Sequence, residues 1–326
     1  MCSPDANESN ITAMEEEERF ISGLPSHKDS PSLRNYKQFW IPEKDLVRIR
    51  SLEKTFAPRP TDVFVASMPK AGTTWLKALA FSILCRKEYS PLTSAPHPLL
   101  SLNPHECVPF LDAVIRGLDH AFVESMPSPR LLSFHTPFSL LPASIVDTCK
   151  IIYVCREPKD TFTSSWKFYN SLMMNNNIYG IDIDKLFELF CAEVQAYGPL
   201  WEHALEYWRE SLANSDKVLF LRYEEMIDDP AKVMRRMAIF MGCEFSEEEE
   251  SMGVVEELTR LCSFDSLKKV EDNKNESFFY EGMSVKKSLL YRKGGVGDWV
   301  NHLTPEMGRR IDSITEEKLA GSSLRF

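Results

Sequence analysis

One short segment of the chain combines a lysine, a glycine and two threonine hydroxyls, the groups from which anion sites are built. It covers residues 69–75, PKAGTTW, after the apolar run 62–68 and before a helical pattern. The N–H groups of a helix start, the positive end of its dipole and a lysine all favour an oxyanion. The lysine precedes the Gly-Thr-Thr, so the spacing differs from a Walker A loop. The segment predicts a site for a phosphorylated ligand, although a threonine N-cap beside a solvated lysine is the simpler alternative.

Two further segments carry cations that suit a phosphate. Arg156 follows the apolar run 150–155, and Ser164 lies about two helical turns after it. An arginine can bind phosphate through two parallel hydrogen bonds, whereas a surface arginine paired with a nearby acid is the ordinary alternative. Arg292 and Lys293 precede a glycine-rich stretch, which fits a backbone wrapped around a phosphate. Taken alone, that stretch is more simply interpreted as a solvated basic turn.

The elements that must position these groups alternate between strands and helices. Apolar runs predict strands at 62–68, 130–134, 150–155 and 217–222. Helical spacing and capping signals predict helices at 15–24, 46–56, 73–87, 159–172, 229–241 and from 304 onward, with one or two helices within 184–211. This alternation indicates an α/β fold with a central parallel β-sheet flanked by helices. We expect a single domain at 15–326, preceded by a disordered tail at 1–14.

The groups that could do chemistry all follow predicted strands. The loop at 69–75, His135, Arg156 and Tyr223 come directly after the four strands. In a parallel α/β sheet, ligands bind at the carboxyl ends of the strands. We therefore expect these segments to meet at one site.

The composition argues against several classes of protein. The 326 residues carry a net charge of −10, which disfavours nucleic acid or an anionic membrane as a main partner. The eight cysteines include no C-x-x-C pair, which disfavours a zinc site or a disulfide framework. The sequence shows no signal-peptide core and no apolar run of membrane-spanning length. It therefore predicts a cytoplasmic protein without a metal site.

Taken together, these segments resemble the cytosolic sulfotransferases, and they occur in the order found in that family. The matching segments are PKAGTTW at 69–75, YVCREPKD at 153–160 with Ser164, YEEM at 223–226, and RKG with GDW within 292–299. Three more segments are similar to the plant branch, which includes flavonol, brassinosteroid, hydroxyjasmonate and desulfoglucosinolate enzymes. They are NPH at 103–105, LCSF at 261–264 and LTPEM at 303–307.

The resemblance implies an enzyme that transfers a sulfuryl group from 3′-phosphoadenylyl sulfate (PAPS) to an acceptor hydroxyl and releases the nucleotide PAP. Segment 69–75 would then be a P-loop-like phosphosulfate-binding loop. The residues implied to hold the nucleotide are Lys70, Ala71, Gly72, Thr73, Thr74, Trp75, Arg156, Ser164, Tyr223, Phe264, Arg292, Lys293 and Gly294. His135 is implied as the general base and Lys70 as the cation beside the leaving phosphate, with no metal required.

The sequence departs from the family pattern at several points. Ser133 stands where animal members have a lysine, and Phe134 stands where plant members commonly have a threonine. We expect a bulky ring beside the base to alter the acceptor site or to lower activity. The dimer motif of animal members, Lys-x3-Thr-Val-x3-Glu, is absent around Thr304, which predicts a monomer or a weak homodimer.

The acceptor is expected to be a small, largely apolar molecule, such as a flavonoid, steroid, oxylipin or other phenol or alcohol. Phe110, Phe138 and Phe168 are the predicted walls of its pocket. Residues 271–290 are polar and predicted to form a mobile lid. Two alternatives stay open: a non-catalytic PAP-binding relic inactivated by Phe134, and a small-molecule kinase.

Overall fold

The computed structural model describes residues 16–89, 95–111, 120–274, 276–280 and 283–326. The strands are β1 (Ser26–His27), β2 (Ser30–Tyr36), β3 (Phe39–Pro42), β4 (Val63–Ser67), β5 (Leu131–Phe134), β6 (Lys150–Cys155), β7 (Val218–Arg222), β8 (Ser277–Tyr280) and β9 (Met283–Lys286). The helices are α1 (16–22), α2 (Glu43–Thr55), α3 (Thr73–Cys85), α4 (Pro104–Cys107), α5 (His120–Ser125), α6 (Ala143–Thr148), α7 (Pro158–Asn175), α8 (Ile183–Cys191), α9 (Leu200–Ala213), α10 (Tyr223–Asp228), α11 (Pro230–Met241), α12 (Glu247–Ser251), α13 (Val254–Leu261), α14 (Phe264–Lys274) and α15 (Pro305–Lys318).

The central sheet is parallel throughout, with the strand order β5-β4-β6-β7. Phe64 of β4 is in register with Leu132 of β5 on one side and with Ile151 of β6 on the other. Every residue of β4 is buried, as expected for a strand with helices on both faces of its sheet. The predicted α/β fold with a central parallel sheet is therefore confirmed.

Alternate residues of β4 pack on opposite sides of the sheet. Val63 and Val65 belong to a hydrophobic cluster that includes residues of α3, α11 and α13. Phe64 and Ala66 belong to a second cluster that includes residues of α9. The sheet is thus the middle layer of the protein, and its carboxyl edge is held rigidly between two packed faces.

The predicted helical segment 184–211 is divided into the two helices α8 and α9. The backbone is left-handed at Glu193 and Tyr197, and residues in that conformation cannot continue a right-handed helix. Pro199 then caps the start of α9. The break matters for the site, because Tyr197 lies against the pocket described below.

Residues 271–290 have more regular structure than the predicted mobile stretch. Strands β8 and β9 pair as an antiparallel hairpin between the end of α14 and a 3-10 turn at Lys287–Leu290. The side chain of Asn176, at the end of α7, anchors this hairpin to the domain. Its Oδ1 accepts a hydrogen bond from the N–H of Ser284, and its Nδ2 donates to the Ser284 carbonyl, each at 2.9 Å.

Three further observations complete the fold. Strands β1, β2 and β3 form a small antiparallel sheet that the sequence did not predict. The predicted tail at 1–14 lies outside the described residues. Within the described ranges, no helix has the length and apolar character needed to cross a bilayer.

Candidate active site

The loop between β4 and α3 turns through two left-handed residues. Lys70 has a φ of 68° and Gly72 has a φ of 118°. A Cβ on Gly72 would lie 2.7 Å from Cδ2 of Tyr223, so the tyrosine ring can pack against the loop only because residue 72 has no side chain. The turn brings the start of α3, where a helix has N–H groups to offer an anion, to the carboxyl end of β4.

A large pocket opens at the carboxyl edge of the sheet, with a volume of about 1420 Å³. It brings together the loop, the ends of the strands, helices α7 and α14, and the glycine-rich segment near the C-terminus. The predicted site residues that line it are Lys70, Gly72, Thr73, Thr74, Trp75, Phe110, His135, Arg156, Ser164, Phe168, Tyr223, Phe264, Arg292, Lys293 and Gly294.

Two predicted site residues have side chains that do not line this pocket. Ala71 is part of the loop, but its side chain is buried in the core, and its N–H donates to the Met68 carbonyl at 3.2 Å. Phe138 packs edge-on against Tyr207 of α9, with ring centroids 5.4 Å apart. Phe138 is therefore a core residue rather than a wall of the acceptor pocket, because its 3-10 turn directs the ring towards α9.

Phe134 also points away from the pocket, contrary to the expectation of a bulky ring beside the base. Its ring is buried against Phe64, with the centroids 5.2 Å apart. Successive residues of a strand face opposite sides, so His135 can face the pocket while Phe134 faces the core. The Phe134 ring therefore does not shape the acceptor site directly.

His135 is held as a neutral imidazole with a defined tautomer. Its Nδ1 lies 2.7 Å from the Ser67 carbonyl oxygen, which can only accept, so Nδ1 carries the proton and Nε2 is an acceptor. Burial, together with the nearby Lys77 and Lys70, lowers the pKa of His135 to about 4. The imidazole lies between the rings of Phe110 and Tyr197, with centroids 5.0 and 5.5 Å away. The imidazole is therefore neutral at neutral pH, and its Nε2 lone pair is free to accept a hydrogen bond.

Lys70 presents its ammonium to the same pocket. Its Nζ lies 4.1 Å from the centroid of the Phe168 ring, a cation–π contact that orients the side chain. Burial and the positive charges of Arg156 and Arg292 lower the pKa of Lys70 to about 7. An anion bound beside Lys70 would stabilise the charged form and raise this pKa again.

Arg156 and Asp160, at the start of α7, hold the glycine-rich segment against the pocket. The Arg156 guanidinium donates to the Gly295 carbonyl at 2.8 Å. The Asp160 carboxylate accepts the N–H groups of Gly297 and Trp299, at 2.6 and 3.1 Å. These contacts bring two cationic segments more than 130 residues apart in the chain into one site.

Arg292 and Lys293 both contact the carboxylate of Asp298. The Lys293 ammonium lies 2.5 Å from it, and the Arg292 guanidinium donates to its other oxygen. Burial alone would raise the pKa of Asp298, but the hydrogen bonds from Lys293 and Arg292 lower it well below its usual range. The carboxylate therefore stays ionised and holds both cations beside the pocket.

Three aromatic rings surround the part of the pocket that lies away from His135, and several buried nitrogens in the same region lack a hydrogen-bond acceptor. Trp75 and Tyr223 meet edge to face at 5.6 Å, and Phe264 packs against Gly294, where a Cβ would approach its ring to 2.2 Å. Among the described residues, the buried nitrogens Trp75 Nε1, Arg156 Nε and Arg292 Nε have no acceptor in the protein. A buried donor without an acceptor costs about 1–3 kcal/mol. The aromatic rings and the cationic side chains that line this part of the pocket suit a planar ligand that carries phosphate oxygens.

Aromatic and aliphatic side chains form the other part of the pocket, next to His135. Besides Phe110 and Phe168, sequence reasoning missed several of them. They are Tyr169, Tyr197, Phe278 and Val285. Phe278 and Val285 belong to the β8–β9 hairpin, and the prediction that residues 271–290 are polar overlooked the apolar residues at 278–280, 283 and 285.

The chain is similar to known proteins in both sequence and fold. The sequence profile of the sulfotransferase domain family matches residues 60–323. Cytosolic sulfotransferase 8 of Arabidopsis thaliana is 44% identical over 323 residues, which cover 96% of this chain and 93% of that protein. A solved Arabidopsis thaliana structure, described as a putative steroid sulphotransferase, has a TM-score of 0.74 and 36% identity, covering 94% of each chain. A mouse sulfotransferase solved in complex with PAP has a TM-score of 0.66 and 26% identity, covering 89% of this chain and 95% of the other.

Proposed function

The chain belongs to the sulfotransferase family, and from that premise we propose that it transfers the sulfuryl group of PAPS to a hydroxyl of a small, largely apolar acceptor. The observation that carries this proposal is that one pocket is lined both by the cationic side chains Lys70, Arg156, Arg292 and Lys293 and by His135, whose Nε2 is free to accept a proton. We further propose that the protein acts in the cytoplasm, as the names of its relatives suggest.

The residues around the pocket suit a doubly phosphorylated adenosine. Arg156, Ser164 and the segment 292–294, which line one part of the pocket, would bind the 3′-phosphate. Trp75, Tyr223 and Phe264 would hold the adenine, since flat rings stack well on aromatic side chains. The loop at 69–75, with the start of α3, would bind the 5′-phosphosulfate.

His135 and Lys70 would carry the chemistry. In the proposed reaction an acceptor oxygen forms a bond to sulfur while the bond from sulfur to the 5′-phosphate oxygen breaks. His135 Nε2 takes the proton of the acceptor hydroxyl, because Nδ1 is already protonated and the ring is neutral. The Lys70 ammonium stabilises the charge that develops on the departing phosphate oxygen.

The acceptor would lie between Phe110 and Phe168, with Tyr197 on the side of the base. Flat or fused rings fit this lining, so flavonoids, steroids, oxylipins and other phenols or alcohols are the first acceptors to test. The similarity to a putative steroid sulphotransferase supports including steroids. We also propose that the β8–β9 hairpin closes over the acceptor, since Phe278 and Val285 line the pocket, and that the protein is a monomer or a weak homodimer.

The test is turnover of radiolabelled PAPS over a panel of these acceptors, with calorimetry of PAP binding in parallel. PAP binding together with transfer to one acceptor class supports the proposal. PAP binding without transfer to any hydroxyl would favour the inactive relic, although Phe134, the reason to suspect one, lies in the core. No PAP binding would refute the proposal, and ATP with magnesium serves as the control for the kinase alternative, which the family assignment disfavours.

A further inference from the structure

A fully buried lysine lies directly behind the phosphosulfate loop. Lys77 is on α3, about one turn after Thr74, and its side chain is 0% exposed. Its Nζ is 2.9 Å from Nδ1 of His105, 2.9 Å from the Val108 carbonyl oxygen and 3.4 Å from the centroid of the Phe110 ring. Lysines are almost never fully buried without partners, so these contacts are part of what holds Lys77 inside the protein.

The contacts of Lys77 continue through His105 to the loop. A lysine ammonium only donates hydrogen bonds, so Nδ1 of His105 is the acceptor and Nε2 carries the proton. This Nε2–H donates to the hydroxyl oxygen of Thr74, at 3.0 Å. Burial, and then the charge of Lys77, lowers the pKa of His105 well below its usual range, so the ring is neutral.

The direction of the hydrogen bonds from Lys77 through His105 determines whether the Thr74 hydroxyl can donate a hydrogen bond into the pocket. Since the Thr74 oxygen accepts a hydrogen bond from His105, its own hydrogen can point into the pocket that Thr74 lines. Phe110 stacks on the imidazole of His105 at 5.3 Å, with an interplanar angle of 18°, and fixes the ring plane. A cation at the end of a hydrogen-bond chain also polarises the donors along it.

We propose that Lys77 and His105 are positioning residues that hold the Thr74 hydroxyl as a hydrogen-bond donor to the sulfuryl group during transfer. The inference rests on the proposed function. Donors that are oriented in advance towards developing charge stabilise a transition state without reorganisation. The lysine thus acts on the reaction through His105 and Thr74, from outside the pocket.

The experiment compares Lys77→Met, Thr74→Val and the double variant, with the best acceptor of the panel. Each single change should lower kcat about tenfold, since each weakens one donor to the transition state. PAP lacks the transferred sulfuryl group, so in Lys77→Met, which keeps the Thr74 hydroxyl, its Kd should change by less than about twofold. At neutral pH, well above the pKa of about 4 of His135, removal of the Lys77 charge leaves that imidazole neutral. Under those conditions the double variant should be no slower than Thr74→Val, because the remaining effect of Lys77 runs through that hydroxyl. Losses that multiply in the double variant would overturn the proposal.

A second readout does not depend on turnover. Nitrogen NMR of 15N-histidine-labelled protein should show His105 as the Nε2–H tautomer in the wild type and a mixture of tautomers in Lys77→Met. An unchanged tautomer would contradict the inference. If Lys77→Met does not fold, His105→Gln and His105→Ala replace it, because a glutamine amide can still donate towards Thr74. His105→Gln should retain several-fold more activity, and an equal loss in both would overturn the proposal.

Lys150→Met is the matched control for removing a partly buried lysine. Lys150 donates to the Phe240 carbonyl at 2.6 Å and lies 5.3 Å from the Phe240 ring, but it is at the amino end of β6, away from the pocket. Its kcat should equal that of the wild type. Wild-type protein that transfers no sulfuryl group would refute the proposed function, whereas active wild-type with fully active Lys77→Met would refute only this inference.

Discussion

The Nδ1 nitrogen of His135 lies 2.7 Å from the carbonyl oxygen of Ser67. This hydrogen bond joins the carboxyl ends of the neighbouring strands β5 and β4, at the point where the loop at 69–75 begins. The main chain of the sheet therefore sets both the direction and the tautomer of the proposed base. A histidine fixed in this way needs no carboxylate partner to present Nε2 to an acceptor.

His135→Ala should lower kcat by about 100-fold or more, because general-base catalysis contributes that order of magnitude. The Kd for PAP should stay within about twofold, since His135 lies on the acceptor side of the pocket. Steady-state turnover and calorimetry measure the two quantities. His27→Ala, a partly exposed histidine on β1, is the control and should be fully active. If His135→Ala turns over at the wild-type rate at neutral pH, His135 is not the general base.

The pH dependence should reflect two groups with lowered pKa values. His135 must be neutral to accept a proton, so kcat/KM should rise as the pH increases through about 4. Lys70 must be charged, so kcat/KM and PAP affinity should fall as the pH increases through about 7 in the ligand-free protein.

Lys70→Arg tests whether Lys70 causes the predicted decline of PAP affinity on the high-pH side of this profile. An arginine stays protonated throughout the accessible range, so the decline in PAP affinity near pH 7 should disappear in this variant. Titration of PAP binding between pH 6 and 9 by calorimetry would show the difference. An identical decline in both proteins would assign it to a group other than Lys70.

Arg156→Ala should weaken PAP binding by about 10–100-fold, which corresponds to the 1.5–3 kcal/mol of hydrogen bonds to a charged group. Arg156→Lys keeps the charge but loses the planar guanidinium, which can make two parallel hydrogen bonds, and its contact with the Gly295 carbonyl. Its loss of PAP affinity should therefore be smaller than that of Arg156→Ala. Calorimetry with PAP, and with adenosine 5′-phosphosulfate as a ligand lacking the 3′-phosphate, measures the effect. Equal losses for the two ligands would mean that Arg156 does not bind the 3′-phosphate.

Gly294→Ala and Gly295→Ala form a matched pair. Residue 294 has a φ of 68°, and a Cβ there would lie 2.2 Å from the Phe264 ring, whereas a Cβ at residue 295 meets nothing within 4 Å. Left-handed backbone costs a non-glycine residue about 1–2 kcal/mol, and displacement of Phe264 adds to that cost. Gly294→Ala should therefore displace the Phe264 ring, which lines the pocket, and weaken PAP binding about tenfold, whereas Gly295→Ala should not. Equal PAP affinities in the two variants would contradict the close contact.

The β8–β9 hairpin should respond to nucleotide. Saturating PAP is expected to slow amide hydrogen exchange at 276–286, because the hairpin runs into the segment that contains Arg292 and Lys293. Strand β4, buried throughout, is the internal reference and should not change. Asn176→Ala, which removes the anchor of Ser284, should raise the KM for the acceptor more than that for PAPS. Unchanged exchange in the hairpin would contradict a lid.

The sheet and the approximate position of the site could be predicted from the sequence because both depend on local patterns. Apolar runs such as 150–155 identify buried strands, and the rule that ligands bind at their carboxyl ends then groups His135 with Arg156. The errors came from side-chain direction. Phe134 follows Ser133 in a strand, so alternation alone could have placed its ring opposite His135, but the prediction did not use it.

Other features depend on contacts that no local pattern encodes. Phe138 lies in a 3-10 turn without periodicity, so its packing against Tyr207 follows only from the fold. The bond from Arg156 to Gly295 spans 139 residues, and the relation of Lys77 to His105 spans 28. Because the partners are far apart along the chain, such pairs cannot be predicted before the packing of the helices against the sheet is known.

The Asp298 carboxylate has a consequence for the exchange of ligands at this site. A phosphate that reaches Arg292 and Lys293 meets two cations whose combined charge is already halved by one carboxylate, so it gains less electrostatic energy than two unpaired cations would give. When the phosphate leaves, the same carboxylate is in place to receive both side chains. A site that contains its own counter-ion binds the phosphate less tightly and releases it more readily. An enzyme that turns over repeatedly must release its product in every cycle.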